Sequence, residues 1–233
     1  MGTQDIIYGG FDGCRAGWIL CSLNASRRTP GFELLERWPK DSLERIACIA
    51  VDMPIGLPDS GRRRCDLEAR ALLPPRTRSR IFMDLRRPLL ECPDYEAANR
   101  MAREDGQGLS KQAWNLHPRL CELDAFITPA RQARVLEAHP ELVFHRLNDW
   151  HRLANKKTAE GRRHRLHLLA RAGLEQVERA IPSVARNRAS PDDFLDAAAC
   201  ALAASWSVHQ QGHHVPSDSA ETDSRGLRME IHF

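Results

Sequence analysis

None of the seven cysteines stands in a Cys-x-x-Cys pair, and no stretch of the 233 residues approaches the about 18 consecutive apolar positions of a membrane helix. The first absence argues against a zinc ribbon. The odd number and scattered places of Cys14, Cys21, Cys48, Cys65, Cys92, Cys121 and Cys200 argue against a disulfide framework. Four of them lie in apolar runs, where they read as small hydrophobes. The second absence, with an N-terminus that enters an apolar run within a few residues, leaves no leader or anchor, so the expectation is a cytoplasmic protein with no membrane partner. Charge of one sign is lacking too: the net charge is only +3, which neither demands nor excludes a nucleic-acid partner. There is no internal repeat and no low-complexity tract.

What is present supports a folded core, with 42% apolar and 28% charged residues. The basic residues cluster at Arg62–Arg64, Arg76–Arg87 and Lys156–Arg165. Such local clusters on a near-neutral chain fit a phosphate-facing groove and a solvated face equally well.

Two stretches organise the chain. In the first, the apolar run Ile6 to Phe11 climbs to Asp12, and Gly13, Arg15 and Gly17 then lead into Trp18-Ile-Leu-Cys21. The pattern predicts a buried strand with a carboxylate at its C-terminal end, followed by a tight hairpin. Asp-Gly is also a common turn pair, so Asp12 taken alone fits a turn. It does not stand alone, because Ile46-Ala-Cys-Ile-Ala-Val51 is a second apolar run that ends on an acid, Asp52. Two core strands with acids at the same end predict a sheet with two carboxylates at one crevice, where open α/β sheets bind ligands.

The second stretch is Ser190-Pro-Asp-Asp-Phe-Leu-Asp-Ala197 and the alanine-rich run to Trp206. Ser190 predicts a helix N-cap, Pro191 suits the first helical position, and Asp193 completes a capping box. Asp192 and Asp193 therefore have a structural reason to be there. Asp196, one turn in and flanked by small residues, has little. Asp193 and Asp196 share a helix face.

Between the two stretches the pattern predicts a third strand at 31–38, a short helix at Asp41–Arg45 that supplies a crossover, and a mostly helical insertion over 59–130. That insertion carries helices at Tyr95–Glu104 and Lys111–Ile127. A strand at Arg134–Ala138 follows, with Glu137 at its end. Glu137, His139 and Glu141 alternate, but Pro140 ends the strand, so Glu137 is the better site candidate. A basic helix at Arg162–Ala172 is closed by Gly173. Residues 210–225 read as a mobile loop, and Met229, Ile231 and Phe233 as a last edge strand or packing segment.

Strand, strand, strand, helix, strand, strand and a final helix, with acids on the first strand, the fourth strand and the last helix, resembles the RNase H-like fold. More specific are Gly10-Phe-Asp-Gly-Cys-Arg-Ala-Gly-Trp18, Val51-Asp-Met-Pro-Ile-Gly-Leu-Pro58, Cys65-Asp66 to Arg70, Ser110-Lys-Gln-Ala-Trp114, Glu137-Ala-His-Pro-Glu141, Lys156-Lys-Thr158 with Gly161, and Asp192-Asp-Phe-Leu-Asp-Ala197. Together they resemble the signatures of domain-of-unknown-function family 429, predicted RNase H-like nucleases. The last helix is also similar to that of Holliday-junction resolvases, which usually carry glutamate where this chain has Asp52.

The resemblance implies a single RNase H-like α/β domain over 1–233, with a mixed five-stranded sheet flanked by helices. It implies a two-metal nuclease using Mg²⁺ or Mn²⁺. Asp12 would bridge the metals, Asp52 would hold one, Asp193 and Asp196 the other, and Glu137 would be an extra ligand. Lys156, Lys157, Arg162, Arg163 and Arg165 would hold the phosphates of a nucleic-acid partner. Two alternatives stay open: a phosphotransferase of the sugar-kinase and actin superfamily, and a nucleic-acid-binding module without catalysis.

Overall fold

The computed structural model describes residues 6–26, 29–40, 43–182 and 188–233. The two apolar runs are strands β1 (Ile7–Cys14) and β4 (Ile46–Val51). With β2 (Gly17–Asn24), β3 (Pro30–Leu35) and β5 (Val135–Glu137) they form one sheet in the order β3-β2-β1-β4-β5. β1, β2 and β3 pair antiparallel, whereas β4 and β5 run parallel to β1. This mixed five-stranded sheet, flanked by helices, is the expected RNase H-like class of fold. β1 lies at its centre and is buried on both faces, which is why its sequence reads as a continuous apolar run rather than an alternating one.

The step from β3 to β4 differs from expectation. Of the helix expected at Asp41–Arg45, Asp41 and Ser42 lie outside the described residues, and Glu44 and Arg45 form a turn into β4. Packing anchors this crossover: Trp38 is buried with its ring 4.6 Å from Phe11 and 5.0 Å from Trp18, centroid to centroid.

A single domain with an insertion over 59–130 is the sequence expectation. The structure groups the chain into two compact units: Met1–Met53 with Arg134–His213 and His232–Phe233, and Pro54–Ala133 with His214–Ile231. The second unit carries helices α1 (Arg64–Leu72), α2 (Tyr95–Glu104), α3 (Lys111–Trp114) and α4 (His117–Phe126). The helix expected over Lys111–Ile127 is broken into α3 and α4 just ahead of Pro118, whose ring is tolerated only in the first turn of a helix. Part of 210–225, expected as a loop, is regular in the structure. Glu221–Thr222 pairs with Arg228–Met229, and the Asp223 carboxylate in the turn accepts bonds from the backbone N–H groups of Leu57 (3.1 Å) and Leu227 (2.9 Å).

The first unit adds α5 (Pro140–Leu147), α6 (Ala159–Arg171), α7 (Val177–Ala180) and α8 (Pro191–Val208). α6 begins before Arg162 because Thr158 caps it: its Oγ1 accepts the Gly161 N–H at 3.0 Å. Gly173, at φ +90°, follows the helix end as expected. α8 starts as the sequence predicts, with Ser190 as N-cap, Pro191 in the first turn and a closed capping box to Asp193.

Among the described residues all seven cysteines are free, six of them buried. No helix there is long and apolar enough to cross a membrane.

Candidate functional site

Backbone contact between β1 and α8 sets the site. A Cβ built on Gly10 would lie 2.0 Å from the Ala197 carbonyl oxygen and 2.1 Å from the Ala201 nitrogen, so the helix backbone rests directly on the strand. Gly10 therefore faces α8. Asp12, two residues on, shares that face. The parallel ladder pairs Phe11 with Val51, and the Asp52 N–H continues it by donating to the Phe11 carbonyl at 2.9 Å. Asp12 and Asp52 thus stand side by side at the C-terminal ends of adjacent parallel strands. Asp196 precedes Ala197 on α8, is only 4% exposed, and closes the group from the helix side.

A residue expected elsewhere completes this cluster. Lys156 Nζ donates to Asp196 Oδ2 at 2.7 Å, and its side chain is 25% exposed. As a surface phosphate contact this lysine is corrected, because its ammonium is turned inward to the acids. Burial works against its charge, yet Asp196, with Asp12 and Asp52 behind it, holds its pKa above the usual lysine value.

The acids show the reverse effect. Burial pushes Asp12 well above the usual carboxylate range, and the charges of Asp52, Asp196 and Asp193 add to this against Lys156. Asp52 rises to about 6: burial is the largest cause, His139 and Lys156 oppose it, and Asp196 and Glu141 reinforce it. Burial and these acids also push the Cys200 thiol, one turn after Asp196, well up, so it stands among them as a neutral group.

A pH dependence follows from Asp52. A carboxyl whose folded pKa lies above its unfolded value favours the folded state in its protonated form. Its contribution is present below the unfolded value of 3.8 and is lost as pH rises through about 6. In EDTA, Asp52→Asn should therefore melt close to wild type at low pH and several degrees above it at pH 8, with the difference growing from the unfolded value of 3.8 and levelling off just above about 6. Paired thermal melts check this, and a difference that stays flat across the range contradicts it.

Two expected ligands do not join the group. The Asp193 carboxylate is spent on the capping box, its Oδ2 accepting the Ser190 N–H at 2.8 Å and its Oδ1 the Ser190 hydroxyl at 2.7 Å. It reaches the cluster only as a nearby charge. Glu137 is paired with Val51, the residue before Asp52, and strand alternation turns it to the face opposite Asp12 and Asp52. The acid beyond Pro140, Glu141, is the one whose charge reaches Asp52. In sequence Asp192 is only a helix-capping acid. Burial, its largest influence, raises its pKa, with the Lys156 charge opposing and Asp196 reinforcing, so it borders the lysine pair.

The basic helix divides. Arg165 and Glu141 form an ion pair at 2.9 Å, each 2% exposed, and Arg165 also donates to the Ala154 carbonyl at 2.9 Å. Arg165 as a phosphate contact is thus corrected, because its guanidinium is consumed inside the fold. Arg162 is half-buried and 3.9 Å from Glu178, whereas Lys157 and Arg163 are exposed. Arg165→Met is expected to cost about 3–5 kcal/mol, because it leaves a buried carboxylate without its guanidinium, and Arg165→Met with Glu141→Leu should recover most of that. Urea denaturation measures both, and a single-variant loss under about 1 kcal/mol would contradict the pair's role.

The donor chemistry suits a hard divalent cation, since Asp12, Asp52 and Asp196 are all carboxylates. Asp196 Oδ1 is buried without a hydrogen-bond partner, which leaves it a lone pair to offer. The arrangement is not that of a preformed two-ion centre. Among the described residues no three His, Cys, Asp or Glu side chains gather closely enough to hold a metal ion.

Comparison with known proteins yields a family match. A family model described as "Protein of unknown function (DUF429)" matches residues 10–221. No curated protein and no solved structure matches the chain.

Proposed function

The chain belongs to the DUF429 family, whose description assigns no activity, and from the site we propose a nuclease that hydrolyses phosphodiester bonds in nucleic acid with Mg²⁺ or Mn²⁺. The observation that carries this reading is the convergence of Asp12, Asp52 and Asp196 from two adjacent strand ends and the facing helix, with Asp196 Oδ1 buried and unsatisfied. Acids brought together at the cost of raised pKa values have a purpose when a cation binds them, and perturbed carboxyls of this kind gather at functional sites.

Asp12, Asp52 and Asp196 would hold the cation, drawing closer together around it than they stand here. A divalent ion there would supply Lewis acidity, lowering the pKa of bound water and neutralising charge that develops on a phosphate. The residues of the chain do the rest. Asp52 is half-buried, the least buried of the three acids. Lys156 keeps a positive charge among the acids. Lys157 is exposed beside it and would meet the phosphates flanking the reacting one.

A second reading, a nucleic-acid-binding module without catalysis, is favoured by the Lys156 pair, which neutralises one acid with no metal at all. One experiment separates the two. Purified protein is incubated with single-stranded, duplex, hybrid and branched substrates in Mg²⁺, Mn²⁺ or EDTA. Cleavage that needs the metal supports the nuclease. Binding that persists in EDTA, with every substrate left intact in Mn²⁺, supports the binding module.

A further inference from the structure

Trp150 is the only Phe, Tyr or Trp side chain left exposed among the described residues, at 42%. Its backbone sits at φ +62° and that of Asp149 at φ +50°, a left-handed conformation that a bulky side chain rarely adopts. A dense set of bonds holds it there. The Trp150 N–H donates to the His145 carbonyl at 2.7 Å, the Asp149 N–H to the Arg146 carbonyl at 3.0 Å, and the Asn148 amide to the carbonyls of His151 (3.1 Å) and Arg152 (3.3 Å). Behind the indole lie the buried His145 ring, near parallel at 15°, and the Phe233 ring, edge-on at 88°. The indole therefore has one packed side and one side open to water. Backbone strain of this kind gathers at functional sites, and an aromatic ring held outward by it is a ready stacking platform.

The same segment leads to the acids. From Trp150 it runs back along the first half of α6: His164 Nε2 donates to Asn148 Oδ1 at 3.3 Å, Arg165 donates to the Ala154 carbonyl at 2.9 Å, and a Cβ on Gly161 would fall 1.9 Å from the Asn155 carbonyl oxygen. That carbonyl also accepts the Thr158 N–H at 3.0 Å and its hydroxyl at 2.8 Å, which closes the turn that delivers Lys156 to Asp196. Lys156 follows Trp150 by six positions, so the two lie within about 22 Å of each other. A strand of roughly six nucleotides at stacked spacing covers that distance. On the way Arg152, Lys157 and Arg163 are exposed, and among the described residues no ion pair or hydrogen bond engages their charged ends. With Arg171 they make four exposed cations between 148 and 171, against two exposed acids, Asp149 and Glu160. The face is thus both aromatic and cationic, the combination that suits bases joined by phosphates.

Resting on the nuclease reading above, we propose that this face binds an unpaired strand of nucleic acid, with one base stacked on Trp150 and its phosphates carried past Arg152, Arg163 and Lys157 toward the acids. A duplex keeps its bases stacked on one another and offers the indole no free face. The preferred substrate is therefore a single strand, or the unpaired part of a branched one.

The test is binding by the full chain in EDTA, where metal-dependent cleavage does not intervene. Anisotropy is read for labelled oligothymidine, oligouridine and a duplex, each of about 20 nucleotides. Wild type is expected to bind at least one of the unpaired strands about tenfold or more tighter than the duplex. Trp150→Leu keeps an apolar side chain on Phe233 but loses the aromatic face, so it should lose about tenfold on that strand with the slope of log K against log salt unchanged. Trp150→Phe should recover most of the loss. Arg152→Ala combined with Arg163→Ala should make the slope shallower by about 1.4, roughly 0.7 for each lost phosphate contact. A duplex bound as tightly as either strand overturns the proposal, as does a Trp150→Leu protein that melts cooperatively and binds like wild type. If Trp150→Leu does not fold, the arginine variant decides, and an unchanged slope overturns the proposal. No binding to any strand overturns it as well. The nuclease reading is decided separately, by cleavage in Mn²⁺, and survives each of these results if cleavage is seen.

Discussion

Gly10→Ala is expected to destabilise the protein by on the order of 3 kcal/mol or more, the upper end for an overpacked core position. The added methyl group would meet backbone atoms of α8 at 2.0 and 2.1 Å, and backbone inside a helix cannot swing aside as a side-chain end can. Either α8 lifts from the sheet or the strand bends, and both break the close packing of the alanine stripe that begins at Ala197. Gly9 is the control within the same strand. A Cβ there would meet Ile46 and Ile49 side chains at 3.2–3.3 Å, which rotamer adjustment relieves, so Gly9→Ala should cost about 1 kcal/mol. Urea denaturation of both variants measures the contrast. Equal midpoints would mean that α8 does not depend on the missing side chain. Because α8 also carries Asp196, Gly10→Ala should weaken Mn²⁺ binding even where the variant is still folded.

Asp12→Asn is expected to reduce cleavage by roughly a thousandfold or more, the scale on which a group acting as part of a unit is lost. The same substitution should raise the melting temperature of the metal-free protein by several degrees at pH 8. Burial and the neighbouring charges of Asp52, Asp196 and Asp193 all disfavour an ionised Asp12, and an amide removes that penalty while keeping the shape. The gain should shrink toward acid pH, where the wild-type carboxyl is already protonated. Wild type should in turn rise further than the variant on adding millimolar Mn²⁺, since an ion that binds only the folded state stabilises it. Paired melts in EDTA and in Mn²⁺ across pH test the whole pattern. A variant that melts below wild type in EDTA would assign Asp12 to the hairpin turn instead, where its loss removes hydrogen bonds and relieves no repulsion.

Much of the site was legible because it is written in local pattern. The apolar runs placed Asp12 and Asp52 at the ends of their strands, and burial on both faces explains why those runs do not alternate. Ser190, Pro191 and Asp193 announced the start of α8, and the capping box seen there ties both Asp193 oxygens to Ser190. Glu137 misled because a strand end is a property of sequence, while the face it presents depends on register. Its pairing with Val51 puts it one residue out of step with Asp52. Lys156 and Arg165 misled for another reason. A cluster of basic residues reads as a phosphate-binding surface, but long side chains reach partners far away in the chain. Lys156 meets Asp196 across 40 positions of sequence, and Arg165 meets Glu141 across 24.

Local order along the chain already specifies the elements and their chemistry: the strand and helix pattern, acids at two strand ends and one turn into an alanine-rich helix, and membership in a family over residues 10–221. Periodicity, capping and turn preferences act over a few residues, so they survive in a linear reading. Which charges come together depends instead on packing between distant segments. The contact of Gly10 with α8 brings Asp196 to Asp12, and the tied turn at Asn155 to Thr158 turns the Lys156 ammonium inward among acids that would otherwise repel one another. Those pairings arise from packing between segments distant in the chain, and electrostatics in a buried site depends on such distances rather than on order in sequence.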